Sequence, residues 1–435
     1  MTDRLQMLRS LMLVGAFVFA GKIFGALREI VLAEKYGTQE PVDTYLLVFN
    51  IMTLPMTIWL GLVMAIGVPL FVRTDKDGAK VSAQFMYELC AVCIIGGSAC
   101  ALLLSLLLPQ AFSLTALGRS PESVELAAQM VPPLSLLVPL GLLVGVLSAR
   151  LIASERHVNT LLEGTPALII LCAVLAVGGG VEPLIWGSVA GFALQVLVLL
   201  IFVPSKFLGV APRFALTSPL WPKFRESLAV FTVGQVAAGA VGVVDQLMVA
   251  NVGVGAVATL GYAGRVLALA LGLGATAIGR VMLPGFANPD ASGSEVKKSA
   301  RFWAAAMFWL GALGGLAGWF GAPWIVALLF ERGAFSANDT HAVSEVLKLG
   351  MIQAPFYFAG IVAVQVLAAR GAYSQIAIAG VGVLGVKVLA NLAFIPAWGV
   401  GGVMLASALA YALSALLLWR FVVAATTPTA KLGAP

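Results

Sequence analysis

Six ionisable residues stand in runs that are otherwise apolar. Lys22, Arg28 and Glu29 share one stretch, Asp43 opens the next, and Asp245 and Arg265 lie in the second half of the chain. A charge at the centre of a membrane helix costs ~2.5–3.5 kcal/mol on insertion scales, and such groups nearly always face protein or a water-filled cavity. Their types define the chemistry open to them. Arginine offers a planar fork to a phosphate, and lysine offers a point charge. Lys22, Arg28 and Arg265 together therefore suit an anionic, phosphorylated head group and would repel a cationic drug. The carboxylates Glu29, Asp43 and Asp245 suit a coupling Na+ or proton, or a gate. A second reading stays open: internal ion pairs that hold helices together or, for Arg28, a local pair or a side chain reaching to the interface. Arg280, near the inner end of its apolar run, reads as a side chain reaching to the interface, and Lys348 and Lys387 lie in apolar runs with no role assigned.

The stretch FAGKIFGALREIVLAEKYG (Phe19–Gly37) sets the geometry of the first group. At about 100° per residue, Lys22, Gly25 and Glu29 share one stripe, with Lys22 and Glu29 ~10 Å apart along the axis. Arg28 points about 120° away from Lys22 on the same helix. Gly21 and Gly25 form a small-xxx-small pair that lets another backbone approach.

Other chemistry is poorly supported. No nucleophile elbow, phosphate loop or metal-ligand spacing occurs. Cys90 and Cys93 form a C-x-x-C, but in an apolar run without a second pair they read as packing residues. The histidines are His157 and His341, both near loops and unaccompanied. The loop Glu331–His341 also holds Arg332 and Asp339, yet it is too short for a catalytic domain. The expectation is a non-enzyme with no cofactor and no metal.

The elements that carry these residues follow from composition. The chain has 435 residues, 60% hydrophobic and 11% charged, against about 25% charged in a soluble chain. Backbone groups in lipid must bond internally, so spans are helices or closed barrels. Apolar runs of roughly 20–30 residues without alternation select helices. The expected fold is all-α integral membrane, with twelve transmembrane helices near 9–33, 42–72, 82–109, 125–150, 159–180, 183–203, 224–251, 256–286, 300–330, 342–369, 374–395 and 399–424. The first run reads as a retained span, not a cleaved signal. A basic segment with Pro204, Pro212, Pro219 and Pro222 divides the chain into an N-lobe (1–203), a cytoplasmic linker (204–223) and a C-lobe (224–435).

With this topology, seventeen of the 26 Lys and Arg residues fall on the side of the termini, against Lys35, Arg119 and Arg332 on the other. Both termini are therefore expected in the cytoplasm. The same asymmetry accounts for the net charge of +6, without a nucleic acid or other acidic partner. The halves also echo each other. VLSAR (Val146–Arg150) returns as VLAAR (Val366–Arg370), VPLF (Val68–Phe71) as LPGF (Leu283–Phe286), and Gly187 as Gly402, all at nearly one offset. Equivalent spans then run in the same direction. Such parallel repeats form two pseudo-symmetric six-helix bundles around a central cavity.

Three stretches carry a resemblance: GKIFGALREIVLAEKYGTQEPVDTYLLVFNI from Gly21, GYAGRVLALALGLGATAIGRVMLP from Gly261, and LLFERGAFSANDT from Leu328. They resemble the MviN/MurJ lipid II flippase family of the multidrug/oligosaccharidyl-lipid/polysaccharide exporter superfamily. The resemblance implies alternating access and a polyprenyl-pyrophosphate-linked sugar as cargo. That cargo would be flipped from the cytoplasmic to the periplasmic leaflet of a bacterial inner membrane. By position it makes Lys22, Arg28 and Arg265 the diphosphate contacts and Asp43 the acidic residue opening the second span. There are departures. NIMTLPMTIWLGLVMAIGV (from Asn50) is uncharged where the family carries basic residues, Gly264 replaces an aspartate, and twelve spans replace fourteen. The implied cargo is left between lipid II and an exopolysaccharide repeat unit. The alternatives are a cation-coupled multidrug antiporter of the same superfamily, which needs an acidic or aromatic cavity, and a membrane enzyme acting on lipid-linked sugars.

Overall fold

The computed structural model describes residues 21–115, 121–156, 162–177, 179–204, 216–286 and 293–426. The beginning of the expected first span, His157 and most of the linker lie outside them. The described residues fold entirely as helix and connecting turns. In chain order they are α1 (21–36), α2 (Glu40–Leu62), α3 (Val68–Asp77), α4 (Ala79–Thr115), α5 (Pro121–Ser135), α6 (Leu137–Ala153), α7 (Thr165–Ala176), α8 (Glu182–Phe202), α9 (Trp221–Val249), α10 (Ala256–Phe286), α11 (Gly293–Phe330), α12 (Ala337–Met351), α13 (Ala354–Ala369), α14 (Tyr373–Trp398) and α15 (Val400–Thr426).

Among the described residues, eight helical stretches are long and apolar enough to cross a membrane. They are Glu40–Asp75, Lys80–Ser113, Pro121–Ala153, Glu182–Phe202, Phe231–Val249, Gly293–Phe330, Ser374–Trp398 and Val400–Ala425. A ninth appears if α12 and α13, bent by 44°, form one span. Each of the eight overlaps an expected span. The shorter apolar helices Thr165–Ala176 and Ala256–Gly272 fall in two more of the expected positions. The chain is thus an all-α, multi-pass membrane protein.

Breaks in these spans have local causes. Pro69 cannot donate to the carbonyl one turn back, and the preceding turn, Val63–Gly67, widens into π geometry between α2 and α3. Pro132 and Pro133 stand just before the α5–α6 break, where Ser135 Oγ donates to Pro132 O at 2.7 Å. Pro355 follows the α12–α13 break, where Gln353 Nε2 donates to Gly350 O at 2.8 Å. In both broken spans a side chain next to the break takes up a carbonyl near it, as apolar surroundings require.

The chain divides into two compact units. The first holds the described residues up to Gly239, together with Arg332–Phe335. In it α5 and α6 pack on α2, α4 and α8, and α7 packs on α8. Arg150, at the end of α6, is fully buried. Its guanidinium donates to both carboxylate oxygens of Asp75, to Ser82 Oγ at 3.0 Å and to Ser154 Oγ at 3.1 Å, over the Phe71 ring. A second buried charge, Glu88 in α4, collects five donors. They are Gln84 Nε2, Thr217 N, Thr217 Oγ1, Ser218 N and Trp221 Nε1, the last at 2.6 Å. Phe85, Trp221 and Phe224 meet edge-on beside it, which fixes the start of α9 against α4. Beyond the end of the expected first span, Tyr36 donates to Gly180 O at 2.9 Å, and burial raises its phenol above the usual range, so it remains a donor at neutral pH. Ala334 N donates to Glu34 O at 2.7 Å, tying Arg332–Phe335 to the end of α1.

The second unit holds Ala240–Glu331 and the chain from Ser336 onward. Here α12 and α13 pack on α10, α11 and α15, and α14 packs on α15. The helix pairing repeats that of the first unit, with a proline-broken span at the centre of each. The repeated glycines sit at matching close approaches. A Cβ on Gly187 of α8 would come within 3.0 Å of Ala173 in α7, and one on Gly402 of α15 within 2.5 Å of the Phe394 carbonyl in α14. The echoed arginines differ: Arg150 is buried and paired, whereas Arg370 is exposed.

Candidate functional site

The expected site residues are distributed over both units. In α1, Lys22 is exposed, Arg28 half-buried and Glu29 buried. The Arg28 and Glu29 side chains, neighbours in sequence, fold onto each other: Nε and Nη2 both donate to Glu29 Oε1, the former at 3.0 Å. The pair lies within one helix and joins no two helices. Backbone approach occurs at Gly21, where a Cβ on Gly164 would lie 2.9 Å from its Cα; Gly25 has open space. Asp43 is buried in the first turn of α2, where the helix dipole favours a carboxylate.

Arg28 also lines a cavity of about 430 Å³ inside the first unit. Ser148 of α6, Gln195 of α8 and Glu163 supply its other polar groups, and Phe49, Met56 and Phe192 lie on its apolar wall. The wall of this largely apolar chamber thus carries both a guanidinium, Arg28, and a carboxylate, Glu163. Glu163 and Gln195 gave no signal in sequence, because isolated polar residues at helix ends or within apolar runs do not reveal which face they occupy.

In the second unit Arg265 sits on α10, its guanidinium 6.0 Å from the ring of Tyr262 one turn earlier. Tyr262 is fully buried against Phe330, which fixes that ring. Asp245 of α9 does not stand alone. Lys387 Nζ lies 3.3 Å from its Oδ2, and Asn391 Nδ2 donates to its Oδ1 at 2.7 Å. The sequence showed Lys387 as an ionisable group within a span, but its partners come from distant helices and carry no common spacing.

The residues weighed for enzymatic chemistry have structural partners. Asp339 and Ser336 form a capping box at the start of α12, Glu331 accepts from Thr340 Oγ1 at 2.7 Å, and His341 is exposed. Cys93 is buried in α4.

The family profile described as lipid II flippase MurJ matches residues 32–432. The chain belongs to this family. A probable lipid II flippase MurJ of Rhizobium tropici is 25% identical over 371 residues, covering 79% of this chain and 67% of that protein. A lipid II flippase MurJ of Burkholderia cenocepacia is 24% identical over 450 residues, covering 95% of this chain and 83% of its own. Among solved structures, a lipid II flippase MurJ in an inward closed conformation superposes with a TM-score of 0.82 at 21% identity, over 94% of this chain and 87% of its own. An inward-facing multidrug resistance MATE family transporter gives 0.72 at 13% identity, over 94% and 96%. At these identities the two superpositions describe the MurJ-like fold alone.

Proposed function

We propose that this MurJ-family chain is a flippase that moves a polyprenyl-pyrophosphate-linked glycan from the cytoplasmic to the periplasmic leaflet of a bacterial inner membrane. The match to the MurJ family over nearly the whole chain carries this reading. Arg28 on the wall of a largely apolar cavity supports it. The cargo is lipid II or a related glycan such as an exopolysaccharide repeat unit. The protein acts as two six-helix lobes, 1–203 and 224–435, joined by a cytoplasmic linker at 204–223, with twelve spans and both termini in the cytoplasm. The repeated helix pairing and the matching glycine contacts support that division.

In this mechanism Lys22, Arg28 and Arg265 grip the diphosphate while the polyprenyl tail stays in lipid. Arg28 exchanges Glu29 for phosphate oxygens, a swap between two charge-assisted contacts of similar kind. Rocking of the lobes then exposes the bound head group outward, where water screens the grip. Glu29 and Asp43 are the groups proposed to couple the motion through Na+ or H+, and Asp245, beside Lys387, is proposed as a gate. The membrane potential supplies ~2.3 kcal/mol per elementary charge moved through 100 mV. The fold likeness to a MATE transporter keeps the antiporter as a second reading: Arg28 on the cavity wall disfavours a cationic drug, whereas Glu163 on the same wall favours one.

The test is flipping by reconstituted protein, with lipid II and a second diphosphate-linked glycan compared in separate vesicles. Losing one charge-assisted contact costs ~1.5–3 kcal/mol, so Arg28→Ala and Arg265→Ala should each lower apparent cargo affinity roughly 10- to 100-fold. Wild-type flipping in both variants would overturn the grip assigned to them.

A further inference from the structure

The second unit holds a buried cation that the flipping mechanism does not use. Lys387, in the interior of α14, is 2% exposed. Its ammonium donates to Val403 O at 2.6 Å and to Ser407 Oγ, and stands 3.3 Å from Asp245 Oδ2. The ligands come from two other helices, α9 and α15. Asn391, one turn along α14, is fully buried; its Nδ2 holds the second Asp245 oxygen, and its Oδ1 meets no donor among the described residues.

The geometry differs from that of a simple ion pair. A lysine held only by charge would sit closest to the carboxylate, at about 2.7–2.9 Å. Here the ammonium stands closer to the main-chain oxygen of Val403, at 2.6 Å, than to the carboxylate, at 3.3 Å. Carboxylate, main-chain carbonyl and hydroxyl around one point make a hard-oxygen shell of the kind that receives a dehydrated metal cation. Val403 O also accepts from Ser407 Oγ at 3.0 Å, so the shell is tied together without the lysine. The main chain supplies part of it, which no side-chain pattern announces.

We propose that Lys387 is a built-in monovalent cation: its ammonium fills an oxygen shell formed by Asp245, Val403 and Ser407, and so excludes Na+ or K+ from that point. The chain supplies from its own sequence the charge that such a shell would otherwise take from solution. Asp245 is then a fixed counter-ion, and any alkali-ion coupling runs through other groups. The inference goes beyond the flippase reading and holds whatever the cargo is.

The test uses the purified full chain and the variants Lys387→Ala and Lys387→Ala/Asp245→Asn. Binding of radioactive sodium and the midpoint of thermal unfolding are measured in NaCl, KCl and choline chloride at equal ionic strength. A ligand that binds the folded state raises the midpoint by mass action. The wild type should bind no Na+ in an Asp245-dependent manner and should unfold alike in all three salts. Lys387→Ala should gain saturable binding approaching a single ion per protein, with a midpoint raised in an alkali salt over choline. The double variant should lose both. A Lys387→Ala protein that folds only in an alkali salt supports the proposal. One that fails in every salt alike, or folds with no alkali response, overturns it, as does Asp245-dependent Na+ binding by the wild type.

Discussion

Arg150 shows how little the sign of a residue says about its environment. Counting charges on each side of the membrane treats Arg150 and Arg370 as equal votes, yet one is sealed in a protein interior and the other is exposed. Removing one partner of a buried ion pair leaves an uncompensated charge and costs ~3–5 kcal/mol, whereas replacing both by apolar groups is often neutral. Asp75→Asn should therefore lower the thermal unfolding midpoint in detergent markedly, and Asp75→Leu/Arg150→Met should recover most of the loss. If the single variant unfolds like the wild type, the pair contributes nothing. The same contrast applies to legibility. Lys22, Arg28, Glu29, Asp43, Asp245 and Arg265 stood out because charge is rare in apolar runs. Their partners were legible only for Arg28 and Glu29, which are adjacent; the Asp245–Lys387–Asn391 contacts and the Glu88 donors join residues far apart in sequence.

Between helices, the repeated glycines have a packing consequence. α14 and α15 meet where Gly402 faces the Phe394 carbonyl, and no side chain fits without moving a backbone. Overpacking a close-fitted contact costs about 1–3 kcal/mol. Gly402→Val should lower thermal stability by that order, and Gly187→Val should do the same through the milder contact with α7. Gly25→Ala, where a Cβ meets open space, is the control and should leave stability near wild type. A Gly402→Val protein as stable as the control would show that the α14–α15 approach is looser than the structure has it. The helices themselves were legible as uninterrupted apolar runs. Their breaks were harder to place, since Pro55, Pro109 and Pro396 remain inside helices while Pro69, Pro133 and Pro355 accompany widened or broken turns. The presence of a proline in the sequence therefore does not by itself mark a break.

For the whole chain, the all-helical class and eight of the spans followed from hydropathy because lipid leaves the backbone few choices. The compact units divide between Gly239 and Ala240, inside α9. The reason is local. Glu88 and its five donors, with Phe85, Trp221 and Phe224, bind the chain from Thr217 to the beginning of α9 to the first unit. This clasp makes the covalent link preceding it dispensable for assembly. Severed between Ser205 and Ala215 and co-expressed as two polypeptides, the protein should reassemble, with the fragments co-purifying through a tag on either piece. Glu88→Ala should weaken that recovery far more than it harms the unbroken chain. Fragments that never find each other would mean that continuity of the peptide, not the clasp, keeps the halves in company.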